Sequence, residues 1–357
     1  MKMKYSLLVV LLICIISRSE SKKCRALTMS GAGALGAYQA AVFVGLVNQL
    51  PEEEVSYDVI TGVSAGSLNA LGLSGFEAHQ VIDASNFIYG MWNSIDAVKV
   101  YKTWPGGILA GFFQKGLFDL TPGREFLAEQ LGDLVIKKKI TFSAINADTG
   151  QYVNFDYNVS DTRPDFFIDA AFASSSIPAA FPHVHHDDME LIDGGTVWNI
   201  DIDSPIRRCR EIVDNDEDII LDIILVSAAT VDEVTDFSGY SAMDHLLRGH
   251  EIFGFYNGMN DFNSSTFNYP NVDFRYLIFP TEKLSNSPLD ILTFSQKIVD
   301  RCFEAGQKDA KLTVDLGHGV FKELALEFSE RHQNGEDVNF NEMIQERLEK
   351  INKNNHS

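Results

Sequence analysis

The chain has 357 residues, 45% hydrophobic and 22% charged, with a formal charge of −21 from 50 acidic and 29 basic side chains. That is enough apolar material for a large core, and it excludes a disordered tail or a coiled coil. The acidity argues against nucleic acid as a partner and against any general attraction to anionic membranes.

The first elements concern targeting. Lys2 and Lys4 precede an unbroken apolar run, Leu7 to Ile16, after which Ser17, Ser19 and Ser21 alternate with charged residues. This is the pattern of a secretory signal cut after Ser19 or Ser21. Residues 1–21 are therefore read as a signal peptide, and the mature protein as secreted or held in the lumen of the secretory pathway. The competing reading is an uncleaved anchor at a membrane, but the run is shorter than the roughly 20 residues a span needs. The hydrophilic ending Asn354-Asn355-His356-Ser357 excludes a GPI signal. Cleavage would remove Cys14 and leave Cys24, Cys209 and Cys302, which allow one bridge and one leftover thiol. Asn158-Val159-Ser160, Asn263-Ser264-Ser265 and Asn355-His356-Ser357 match the glycosylation acceptor pattern, with Asn158 and Asn263 the candidates.

From Arg25 to Met29 the pattern predicts a strand, broken at Ser30-Gly31-Ala32-Gly33. Leu35, Tyr38, Val42 and Leu46 then recur at helical spacing as far as Pro51. Tyr57 to Thr61 predicts a second strand and Ala65 to Leu73 a second helix, so strand and helix alternate as in a mainly parallel sheet. Residues 101–118 differ, with Tyr101, Trp104, Phe112, Phe113 and Phe118 lying among glycines and one proline. This segment reads either as core or as a membrane contact. Further on, a helix is expected over Pro122 to Leu131, a hairpin around Asp148-Thr149-Gly150 and a helix over Asp165 to Ser174. A second hairpin should turn at Asp187-Asp188, and strands should lie at Ile219 to Ser227 and Phe274 to Phe279.

Three motifs carry chemistry. Gly62-Val63-Ser64-Ala65-Gly66 fits a nucleophile elbow between strand and helix, where the tight turn projects a serine hydroxyl and the flanking glycines remove clashing Cβ atoms. Gly31-Ala32-Gly33-Ala34-Leu35-Gly36 also joins a strand to a helix. Such a loop serves either dinucleotide binding or an oxyanion hole. The acidic residues that a dinucleotide site would need, Glu52 to Glu54, fall before the second strand instead of after it. The nearby serine elbow favours the oxyanion reading, so no nucleotide cofactor is expected. Leu191-Ile192-Asp193-Gly194-Gly195 places a carboxylate at a strand end. Aspartate is a weaker base than imidazole, so burial and oxyanion stabilisation must compensate.

Together the three motifs, in this order, resemble the patatin-like phospholipase family over Cys24 to about Arg210. The stretches Gly116-Leu117-Phe118-Asp119 and Ala173-Ser174-Ser175-Ser176-Ile177-Pro178 add to the likeness. The resemblance implies a three-layer α/β/α sandwich with a mainly parallel central sheet and hydrolysis of lipid acyl esters without a metal or other cofactor. It implies Ser64 as nucleophile, Asp193 as general base and Gly31, Ala32 and Gly33 as the oxyanion loop. Gly62 and Gly66 frame the elbow, and Gly36, Gly194 and Gly195 are the remaining motif glycines. Residues 24–210 would form the catalytic core and 211–357 a continuation of the same α/β domain. Two positions depart: Ala32 stands where many members have glycine, and Leu35 where many have a basic residue. The second change makes acyl hydrolysis a firmer expectation than preference for a phospholipid. Transfer of the acyl group to another alcohol, or a storage or lipid-binding role, are the alternative functions.

His183, His185, His186, Asp187 and Asp188 form a cluster before Asp193 that reads as a solvated hairpin instead of a metal site or the source of a third triad member. Arg207, Arg208, Arg210 and the acidic run after them read as charged surface. Lys137 to Lys139 form a local basic patch. Cys24 opens the first strand at the end opposite the catalytic loops, and Cys209 lies in the segment returning towards the strand at Ile219, so a Cys24–Cys209 bridge is expected.

Overall fold

The computed structural model describes residues 22–162, 164–227, 234, 236–285 and 288–355. The expected signal segment, with Cys14, and the His356-Ser357 end of the third acceptor pattern lie outside the described residues. Ten strands are described: β1 (Cys24–Met29), β2 (Val59–Val63), β3 (Lys102–Thr103), β4 (Phe118–Asp119), β5 (Lys139–Asn146), β6 (Tyr152–Tyr157), β7 (Val184–His186), β8 (Met189–Asp193), β9 (Ile219–Ile224) and β10 (Asp273–Ile278). Eight of them form one sheet in the order β10-β9-β1-β2-β5-β8-β7, with β6 also paired to β5. The run from β10 to β5 is parallel, and the pairs made by β6, β7 and β8 are antiparallel. β3 and β4 form a small separate ribbon.

The central strands are apolar on both faces because helices cover both. Leu27 and Met29 of β1, with Phe142 of β5, face a core built on the Gly36–Gln49, Ala65–Ser74, Val81–Asn93 and Gln296–Leu316 helices. Cys24 and Ala26, the alternate residues of β1, face a second core with the Asp203–Cys209, Ala242–Asn268 and Val320–Gln333 helices. The result is three layers, α/β/α. β9 and β10, both beyond residue 210, complete the same sheet.

Two buried links hold the sheet on the β9 side. Cys24 and Cys209 are joined as a disulfide with their Cα atoms 5.6 Å apart, tying the start of β1 to the helix after Asp193. In the chain-entropy account, closing a loop of this length contributes about 5 kcal/mol. The second link is ionic: Asp222 of β9 accepts from Arg275 Nε of β10 at 2.9 Å and from the Tyr57 hydroxyl at 2.7 Å. Cys302 is a buried free thiol, pushed up to about 12 by burial and so held as an unreactive packing residue.

Several expected features differ. Arg208, read as surface, is buried and donates to the Tyr157 carbonyl and the Asn158 side chain, both at 2.8 Å. The Lys137 to Lys139 patch is not free: Lys137 pairs with Glu77 at 3.1 Å, Lys139 with Glu211 at 2.6 Å, and Lys138 is buried. The aromatic segment divides. Tyr101 and Phe118 pack together, whereas Phe112 and Phe113 stand in solvent.

Candidate active site

The sheet register brings Ser64 and Asp193 together. β2 runs parallel to β5 and ends with Val63 opposite Ser143. β8 runs antiparallel to β5 and ends with Asp193 opposite Ala144, the next residue. β6 occupies the other edge of β5 over the same stretch. The ends of β2 and β8 therefore meet on one edge of β5, and the residue after Val63 faces the last residue of β8.

Ser64 turns the chain from β2 into the Ala65–Ser74 helix with φ 53° and ψ −125°. L-residues rarely adopt this region, and holding one there costs about 1–3 kcal/mol. The surroundings enforce it. The Ser64 N–H donates to Ser174 Oγ at 2.9 Å, and Ser174 Oγ donates to the Ser143 carbonyl at 2.6 Å. Ser67 Oγ donates to the Ser64 carbonyl at 2.6 Å. A Cβ at Gly62 would strike the backbone of Gly66, and one at Gly66 would strike the Met29 carbonyl. The spacing of the elbow motif thus reflects three chain segments in backbone contact.

The Asp193 carboxylate is buried beside the Ser64 hydroxyl and accepts a hydrogen bond from the Gly195 N–H at 2.7 Å. Burial pushes the carboxyl up to about 7, against the opposing pull of those two groups. A carboxylate near neutrality has the proton affinity that a general base needs. Among the described residues no histidine bonds either one: His183 and His185 pair with Glu190 at 2.9 and 3.1 Å. His186 is not part of a solvated hairpin, for it is buried with its ring centroid 4.2 Å from that of Phe166 and 5.3 Å from that of Phe155. The hairpin does turn at Asp187 and Asp188, both with positive φ. Among the described residues, no three His, Cys, Asp or Glu side chains converge as a metal-binding group.

The glycine loop needs one correction. The Gly31 N–H is not available to an oxyanion, because it donates to the Asn199 carbonyl at 2.8 Å. Gly31 serves instead by close approach: a Cβ there would lie 3.2 Å from the Ser64 Cβ and collide with the Asn199 amide. The N–H groups of Ala32 and Gly33 have no acceptor among the described residues. Ala32 has φ −151°, so an alanine fits where many relatives carry glycine. Leu35 is buried in the core. Gly36 packs against Ala65 and Trp92, Gly194 against the Ser143 backbone and Gly195 beside the Asn199 amide.

Asn199 is the residue the sequence reading missed. Its Nδ2 donates to the Gly31 carbonyl at 3.1 Å while its Oδ1 abuts the position of Gly195, so one amide braces the glycine loop against the aspartate loop. A lone asparagine in Val197-Trp198-Asn199-Ile200 carries no local signature of that role.

Ser64 and Gly33 lie on the wall of a pocket of about 700 Å³, open to solvent. Trp92, Phe126, Phe172, Phe181, Ile291 and Phe294 line it, and Ser175 is the other polar residue there. The Trp92 indole N–H is satisfied internally by Asn69 at 2.7 Å, which leaves an apolar lining. Of the glycosylation candidates, Asn158 is exposed in the turn after β6, while the Asn263 side-chain oxygen is buried within the Ala242–Asn268 helix.

Among solved structures, VipD from Legionella pneumophila is similar at 12% identity and a TM-score of 0.35, over 81% of this chain and 67% of that one. The ExoU–SpcU complex from the type III secretion system of Pseudomonas aeruginosa is similar at 14% identity and a TM-score of 0.27, over 92% and 66%. The chain thus spans about two thirds of the length of each. No curated protein sequence matches it. Residues 27–206, from the first strand through the aspartate loop and into the helix beyond it, match the patatin-like phospholipase family. That is half of the chain and contains all three motifs, so the chain belongs to the patatin-like phospholipase family.

Proposed function

We propose that the protein is a serine lipid acyl hydrolase working through a Ser64–Asp193 dyad. The observation that carries the reading is the placing of the Ser64 hydroxyl beside the buried Asp193 carboxyl, which burial pushes up to about 7, at the wall of an apolar pocket. Family membership supports the esterase class.

In this reading the acyl chain occupies the pocket and its ester carbonyl lies over Ser64. Asp193 takes the Ser64 proton as Oγ attacks the carbonyl carbon. The tetrahedral oxyanion accepts hydrogen bonds from the Ala32 and Gly33 N–H groups, a stabilisation of several kcal/mol in a site sheltered from water. Asp193 returns the proton to the departing alcohol, leaving an acyl-serine. A water molecule, deprotonated by Asp193, then attacks that ester, and Asp193 passes the proton to Ser64 Oγ as the acyl–Oγ bond breaks, which releases the fatty acid and restores both residues. No histidine and no metal take part in these steps. Secretion through the 1–21 signal and glycosylation at Asn158 belong to the same proposal and rest on sequence pattern.

A fluorophosphonate probe tests the nucleophile: it should label the wild type at Ser64 and leave Ser64→Ala unlabelled. Product analysis on phospholipid and neutral-lipid panels tests the reaction. Free fatty acid is expected; labelling at another serine, or acyl transfer without free acid, would overturn the proposal.

A further inference from the structure

The β3–β4 ribbon carries an apolar tip that the catalytic reading leaves unused. Ile108, Leu109, Phe112 and Phe113 are 52%, 77%, 69% and 90% exposed. The legs of the ribbon are fixed, since the Trp104 indole N–H donates to the Gly116 carbonyl at 2.8 Å. Its base adjoins the pocket wall: the Tyr101 ring lies 4.5 Å from Phe118, 6.0 Å from Phe181 and 6.2 Å from Phe294, centroid to centroid. Phe181 and Phe294 both line the pocket. An exposed apolar cluster on a rigid mount beside an apolar pocket is a surface that awaits a partner.

Charge narrows the partner. The chain carries −21, yet residues 97–118 contain no Asp or Glu and three lysines, Lys99, Lys102 and Lys115. Lys102 pairs with Asp119 at 3.3 Å, while Lys115 has no acidic partner among the described residues. Lys99 is held by the Ser94 carbonyl and the Phe126 ring, so Lys115, two residues from Phe113, is the cation of the tip. An apolar tip with one flanking lysine and no carboxylate matches the two layers of a phospholipid surface, acyl chains below and phosphates above. The remaining acidity of the protein disfavours a strongly anionic surface.

We infer that the tip at Ile108, Leu109, Phe112 and Phe113 inserts into a zwitterionic phospholipid surface, with Lys115 at phosphate level, and so brings the mouth of the pocket onto the membrane. The inference rests on the lipid-hydrolase reading for its purpose but not for its test. Binding is measured by flotation of Ser64→Ala protein with phosphatidylcholine vesicles. Adding Phe112→Ser and Phe113→Ser should weaken partitioning about a hundredfold, since each ring removed from lipid is a factor of about ten. Leu109→Glu at the same tip should weaken it in the same direction. In the Ser64 protein, the double Phe change should preserve the melting temperature and turnover of a soluble short-chain ester, and lose turnover on vesicles. Equal vesicle binding by wild-type and changed tips would overturn the inference. So would a fall in melting temperature, which would mean the rings are core, or dissociation of a dimer in sedimentation, which would mean they meet a second copy. If tip changes abolish vesicle binding but no ester is ever cleaved, the hydrolase reading fails and the docking surface stands.

Discussion

Asp193 and Asp222 are both buried carboxylates at strand positions of one sheet, and they are treated in opposite ways. Asp222 is met by the Arg275 guanidinium and by the Tyr57 hydroxyl, so its charge is matched where it sits. Asp193 receives the neutral Gly195 N–H and, among the described residues, no cation, and burial pushes its carboxyl up to about 7. A matched charge fixes two strands together. An unmatched one weakens the fold and is ready to take a proton from a neighbour. The catalytic end of the sheet is therefore where stability is expected to have been given up for reactivity.

The sharpest way to break the comparison is to neutralise each carboxylate. Asp193→Asn should lower ester turnover by about 10³–10⁴-fold, because an amide cannot accept the serine proton. Stability should move the other way. A carboxyl whose folded value is raised from 3.8 to about 7 costs the folded state nothing below pH 4 and its full penalty above pH 7. That penalty is about 4 kcal/mol, an order-of-magnitude figure. Denaturant melts should show Asp193→Asn more stable than wild type at pH 8 and equal to it at pH 4; a less stable variant at pH 8 would mean the charge is matched after all. Asp222→Ala should do the reverse, destabilising by about 3 kcal/mol, because the buried guanidinium keeps only the half-exposed Glu54 carboxylate as an acidic partner. If a folded Asp222→Ala matches the wild-type midpoint, the ion pair contributes nothing.

The pH profile sharpens the same contrast with a smaller effect. kcat/KM should rise about tenfold per pH unit below about pH 7 and level off above it, following ionisation of Asp193. A profile flat from pH 5 to 8 would remove Asp193 as the base. The smallest change is expected from His185→Ala, whose ring pairs only with Glu190. Turnover within about twofold of wild type is predicted, and a loss comparable to that of Asp193→Asn would bring a histidine into the mechanism.

The turn at Ser64 was legible in the sequence because its geometry is local. A turn that needs glycine on both sides of a serine writes that need into five consecutive residues, and Gly62 to Gly66 fold as the pattern implies. What was not legible depends on distant partners. Asn199 looks like any loop asparagine until the Gly31 carbonyl is placed against it. Arg208 sits in a run of charges that resembles surface, yet the Tyr157 carbonyl draws it inside. The aromatic segment shows the limit most clearly. Tyr101 and Phe113 share composition and neighbourhood in the chain, but one packs beneath the ribbon and the other projects from it.

The Cys24–Cys209 bond encloses more than a strand and a helix. Ser64 and Asp193 both lie within the covalent ring it closes, and so does the exposed tip at Phe112 and Phe113. A protease that cuts the tip would leave the two catalytic residues on separate fragments, yet still fastened to one another. Such a nicked molecule should run as one band on a gel until it is reduced. Because its sheet spans the cut, it should also keep an assembled site. The bond thus makes an exposed part of the protein one that can be severed without taking the molecule apart.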